Sequence, residues 1–153
     1  MLQFFSRRLR NERGFTLIEL LIVVAIIAIL AAILIPNFLR ARAQSQVAAT
    51  KGNLKNVATA LESYQVDFSV YPSNANDLVT GGYTRALPSD PCTGTAFGVS
   101  PGYLYTPIGT PATDYELKTR WGTTAGAAGF QCYQANQNSN IAYTPGGGLQ
   151  QTP

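Results

Sequence analysis

The chain has 153 residues, 46% of them apolar and 12% charged, which is room for one modest core plus one extra element rather than several catalytic domains. It contains no histidine and two cysteines, Cys92 and Cys132, so the common general base and most metal-ligand sets are missing. The formal charge of +3 sits entirely at the N-terminus, where Arg7, Arg8, Arg10 and Arg13 stand against Glu12. The remainder is formally neutral, and no nucleic-acid contact can be inferred from its charge.

From Leu20 to Leu39 the chain carries no charged residue. At about 1.5 Å per helical residue this run is long enough to cross a bilayer core. Arginines precede it and Arg40 and Arg42 follow it. The larger group lies before it, which places the N-terminus in the cytoplasm and the rest outside. A cleaved secretory signal ending near Ala31 and Ala32 is the competing reading. Glu19 at the head of the run, and the continuation through Ile33, Leu34 and Ile35, count against it.

Beyond Pro36, the residues Val47, Leu54, Val57, Leu61, Tyr64 and Phe68 recur at helical spacing, with Lys51, Lys55, Glu62 and Asp67 on the polar side. This predicts one helix from about Phe15 to about Val70, bent at Pro36 and weakened at Gly52. Tyr71-Pro72 ends it, because the residue before a proline is pushed toward extended geometry.

The clearest strand is Asp114 to Trp121, where Tyr115, Leu117, Thr119 and Trp121 alternate with charged neighbours. Tyr103 to Thr106 and Phe130 to Tyr133 are shorter strand candidates. Asn136 to Asn140 and Gly146 to Pro153 read as polar, mobile segments. Tyr64, Phe68, Tyr71, Trp121 and Tyr133 are expected in a core between helix and sheet. The expected fold is α+β, a long N-terminal helix on a small antiparallel sheet. Outside the cytoplasm, Cys92 and Cys132 are expected to pair; two free buried thiols are the alternative.

The run Gly14-Phe15-Thr16-Leu17-Ile18-Glu19-Leu20-Leu21-Ile22-Val23-Val24-Ala25-Ile26-Ile27 closely resembles the N-terminal signature of type IV pilins and pseudopilins. The resemblance implies cutting between Gly14 and Phe15 by a dedicated membrane peptidase, which also methylates the new amine of Phe15. It divides the chain into a leader (1–14), an assembly helix (15–39), its amphipathic continuation (40–70) and a β domain (71–153). Pro36 falls where the family has its proline, and Ala28 stands where many members carry glycine.

A carboxylate within lipid costs roughly 2.5–3.5 kcal/mol, so Glu19 needs a partner. In a parallel stack of helices the Phe15 amine of a second copy could supply it, and the resemblance assigns Glu19 that role. Thr16-x-x-Glu19 also matches a capping box, and both readings can hold at once. The apolar run is equally compatible with a plain single-pass anchor.

The segment Tyr71-Pro72 … Leu78 … Gly82-Tyr83 … Leu87-Pro88-x-Asp90-Pro91 is similar to a pattern in major pseudopilins of type II secretion, or else is a loop punctuated by Pro and Gly. The cysteine pair resembles the C-terminal disulfide loop of pilins. The tail from Asn136 to Pro153 has no acidic residue, so no calcium site and no cofactor are expected.

The resemblance implies a filament of this chain with other pilins, built by inner-membrane assembly machinery for adhesion, twitching motility or DNA uptake. A secretion pseudopilin is the second possibility, a membrane-anchored binding module the third. Enzymatic activity has no visible nucleophile, phosphate loop or metal cluster behind it.

Overall fold

The computed structural model describes residues 14–152. It divides after Phe38 into two units. The first begins with helix α1, Leu17–Phe68, which runs on into the second and contains Pro36. In residues 15–38 every side chain except Ala31 is exposed, including Phe15, Ile22, Ile26, Leu34 and Phe38. A surface apolar all round has no preferred side to turn toward a core. Next to Pro36, which has no N–H to give, the Asn37 side-chain Nδ2 donates to the Ile33 carbonyl at 3.1 Å.

In the second unit α1 acquires one buried face: Ala43, Val47, Thr50, Leu54, Val57, Ala58 and Leu61, at steps of three and four. Phe68 ends the expected stripe but is 57% exposed, its ring tilted against that of Tyr64. A short helix α2, Asp77–Thr80, buries Leu78. Four strands follow as an antiparallel meander in the order β1-β2-β3-β4: β1 (Tyr103–Ile108), β2 (Asp114–Thr119), β3 (Asn140–Thr144) and β4 (Gly148–Thr152). Helix α3, Phe130–Ala135, lies in the β2–β3 connection. Val47, Leu54, Val57 and Leu61 form one core with Tyr103, Tyr115, Leu117, Trp121 and Ile141. The fold is the expected α+β arrangement of a long helix and a small antiparallel sheet.

Three segments differ from the sequence expectation. Phe130 to Tyr133 is helical, not a strand. Gly129 precedes it at φ 78°, where a Cβ would come within 2.8 Å of Trp121 and 3.0 Å of Thr93. The turn and the close packing both demand glycine there, and they aim the chain into a helical turn. The Asn-rich stretch is not a loose loop: Asn136 and Ser139 are buried, the Asn136 amide donates to the Ser139 carbonyl and the Ser139 hydroxyl to the Asn136 carbonyl. Asn140 then accepts from the Trp121 backbone N–H at 2.7 Å, tying β3 to the chain just past β2. Gly148 to Thr152, read as part of a mobile tail, is strand β4 paired along the whole of β3. Polar residues that bond to backbone leave no hydrophobic signature.

A carboxylate joins α1 to the sheet. Glu62 accepts from the Tyr71 hydroxyl at 3.0 Å and from the Tyr115 hydroxyl at 3.1 Å, one on each oxygen. Burial, then the Glu62 carboxylate, pushes the Tyr71 phenol up to about 12. The same causes raise Tyr115. A raised phenol pKa means the fold favours the protonated form, so this stabilisation is complete below pH 10 and is lost as pH rises from 10 through about 12. Chemical denaturation of the full chain in neutral detergent should show stability falling across that window, with a shallower fall in Tyr71→Phe. Leu61→Ala, at a fully buried position, should destabilise by about 2–5 kcal/mol. Ile26→Ala, at an exposed one, should leave the melting of the β domain unchanged.

Candidate functional site: the head of α1 and the disulfide

Thr16 immediately precedes α1 and Glu19 lies in its first turn. The Thr16 backbone N–H donates to Glu19 Oε2 at 2.9 Å, the Thr16 hydroxyl donates to the same oxygen at 2.6 Å, and the Glu19 N–H donates to Thr16 Oγ1 at 3.3 Å. This is a reciprocal capping box, with the carboxylate at the positive end of the helix dipole. The cap uses Oε2; among the described residues Oε1 accepts no hydrogen bond. Glu19 is the sole charged residue from Phe15 to Leu39. The helix is long and apolar enough, by length and composition, to cross a membrane. Of the expected leader, residues 1–13 lie outside the described residues; Gly14 and Phe15 are exposed.

In the second unit Cys92 and Cys132 form a disulfide, with a Cα–Cα distance of 6.0 Å and a sequence separation of 40. The bond lies against α1. Gln46 donates to the Pro91 carbonyl at 2.8 Å, and one turn later the Thr50 hydroxyl stands 3.7 Å from Cys92 Sγ. Next to the bond lies a fully buried carboxylate, Asp90. Oδ1 accepts from the Cys92 N–H at 3.0 Å and from Thr50 Oγ1 at 3.3 Å; Oδ2 accepts from Trp121 Nε1 at 2.9 Å and from Thr93 Oγ1 at 3.1 Å. Four donors from α1, the loop and the chain just past β2 converge on one side chain. The signal available in sequence was Asp90-Pro91-Cys92, a turn-forming carboxylate two residues before a cysteine; Glu62, Gln46 and Thr50 gave none.

A family described as "Prokaryotic N-terminal methylation motif" matches residues 9–35. The chain is 50% identical over 74 residues to the type IV wide pilus major component PilA4 of Thermus thermophilus, a match that covers 48% of this chain and 56% of that protein. It is 38% identical over 98 residues to the type II secretion system core protein G of Pseudomonas aeruginosa, covering 54% of this chain and 69% of that one. The protein of that description from Vibrio cholerae is 35% identical over 113 residues, with 76% of its length covered. The chain belongs to the type IV pilin and pseudopilin family. It spans a little over half the length of the Thermus pilin and about two thirds to three quarters of the two secretion proteins.

Among the residues of this pilin-family chain singled out in the sequence, the structure brings together Thr16 with Glu19 and Cys92 with Cys132. Pro36 lies inside α1, 17 positions after Glu19 in the sequence. The disulfide closes β1, β2 and the start of α3 into one loop. In the chain-entropy account, opening a loop of 40 residues costs about 4 kcal/mol. The double variant Cys92→Ala/Cys132→Ala should therefore lose about that much unfolding free energy under non-reducing conditions, measured by urea titration in neutral detergent.

Proposed function

We propose that this chain is a structural subunit of a type IV pilus filament, made as a membrane-inserted precursor. It is cut between Gly14 and Phe15 and methylated on the Phe15 amine by a prepilin peptidase and methyltransferase. The assembly machinery of the inner membrane then draws it into a filament with copies of itself and other pilins. The domain outside the cytoplasm becomes the filament surface, in adhesion, twitching motility or DNA uptake.

The observation that carries this reading is the first half of α1, exposed on every side and apolar throughout, with Glu19 as its one charge. Such a helix exchanges lipid for a bundle of like helices at little cost, since both are apolar surroundings. Glu19 supports the same reading. Its Oε2 holds the helix start, and its Oε1 is available to the cationic Phe15 amine that cutting creates on a second copy. A register set by that pair follows from the expense of leaving a carboxylate unpaired in an apolar bundle.

A second reading, a pseudopilin of a type II secretion system, is favoured by the extent of similarity. The secretion proteins match over 98 and 113 residues, against 74 for the Thermus pilin. Both readings share the cut, the methylation and the Glu19 contact; they differ in whether the subunit leaves the cell envelope. A single-pass binding module would need neither the cut nor Glu19.

Peptide mass measurement of sheared surface filaments should find a mature chain starting at N-methylated Phe15. The same peptide in membranes, with none in the sheared fraction, selects the pseudopilin. A start near Ala32, or an intact Met1, overturns both. Glu19→Ala should insert into the membrane normally yet be absent from filaments by immunoblot, whereas unchanged activity with that variant would favour the tethered module.

A further inference from the structure

Asp90 is the one fully buried carboxylate among the described residues, and its surroundings hold it as an acceptor on both oxygens. Its neighbour in this network is a disulfide sulfur. The Thr50 hydroxyl lies between them, 3.3 Å from Asp90 Oδ1 and 3.7 Å from Cys92 Sγ, while the Cys92 N–H donates to the same Oδ1. The two sulfurs differ in access: Cys132 is 1% exposed, whereas Cys92 is half-buried. A groove of about 390 Å³, lined by Arg42, Gln46, Gly126 and Phe130, reaches both cysteines.

We infer that Asp90 is a positioning residue that protects the Cys92–Cys132 bond against reduction, by disfavouring negative charge on the Cys92 sulfur. A dithiol reductant shows how this works. Its first thiolate attacks the accessible Cys92 Sγ, forming a mixed disulfide as the Cys92–Cys132 bond breaks. Cys132 leaves with the electron pair as a thiolate and takes up a proton from water in the groove. The second thiolate then attacks the reductant's own bound sulfur, expelling Cys92 as a thiolate and closing the reductant into its disulfide. Two electrons pass to the cystine.

Negative charge approaches Cys92 Sγ on the attacking thiolate in the first step, and forms on Cys92 Sγ itself when it is expelled in the second. Each time it does so beside a carboxylate shielded from solvent, where like charges repel more strongly than in water. Four converging donors keep Asp90 from swinging away. Arg42, exposed at the rim, is the charged residue lining the groove and acts in the opposite sense. Its side chain is exposed to water, where its field is screened.

The test uses the full chain in neutral detergent. Reduced protein is alkylated with iodoacetamide between pH 7 and 10, and the Cys92 peptide is quantified by mass. In the wild type the Cys92 rate should reach half its plateau above the ordinary thiol value of about 8.5. In Asp90→Asn the midpoint should be about one pH unit lower. The oxidised form of that variant should be reduced by dithiothreitol roughly three- to tenfold faster.

Trp121→Phe removes one donor while leaving the carboxylate, and so separates charge from loosened packing. Its midpoint should not fall and its reduction rate should stay within about twofold of wild type. A wild-type midpoint at or below about 8.5 would overturn the inference even if Asp90→Asn failed to fold. So would Trp121→Phe accelerating reduction as much as Asp90→Asn.

Discussion

One helix in this protein answers to two different surroundings. Along residues 17–38 α1 is apolar on every side and exposed, whereas from Ala43 to Leu61 it buries a single face and turns the rest to water. The hydrophobic effect supplies the reason for both halves. A one-sided stripe buries its apolar area within its own chain, while an all-round apolar surface can lose its contact with water only in lipid or among other helices. The fold of residues 39–152 and the proposed assembly of residues 15–38 are therefore two uses of the same element.

Ionisable groups mark the places where that apolar logic is interrupted. Glu19 is held at the helix start by Thr16, each side chain accepting from the other residue's backbone N–H, which the first turn leaves free. Glu62 receives two phenols, and Asp90 receives four donors from three parts of the chain. Half-buried Glu116 on β2 pairs with Lys118 at 2.6 Å, whereas Glu62 and Asp90 are met by hydrogen bonds rather than by a cation. This suits a domain with few charges, because a hydroxyl or indole N–H costs less to desolvate than an ammonium group. No buried side-chain nitrogen or oxygen among the described residues lacks a partner.

The disulfide and Asp90 act on the same junction from different directions. The covalent bond limits the unfolded ensemble by closing a long loop. The carboxylate instead orders the folded state, gathering Thr50 of α1, Trp121 beyond β2 and the turn at Cys92 around one point. Together with the bond from Gln46 to the Pro91 carbonyl, it holds the irregular stretch between α2 and β1 against α1.

Much of this was readable from residues alone wherever a regular period met a large apolar load. The two characters of α1, its end near Tyr71-Pro72, and the alternation of Tyr115, Leu117, Thr119 and Trp121 on a buried face all follow from side-chain spacing. The likeness of residues 14–27 to a processing signature also belongs to the sequence, because a peptidase reads a linear segment.

Tertiary structure alone decided the rest. It made a helix of Phe130–Ala135 by packing Gly129 against Trp121, and a paired hairpin of a polar, glycine-rich tail. It also brought Asp90 and Glu62 to residues 31 and 53 positions away in the chain. A period reports which face of an element is buried, whereas a hydrogen bond between distant side chains exists only once the backbone has brought them together.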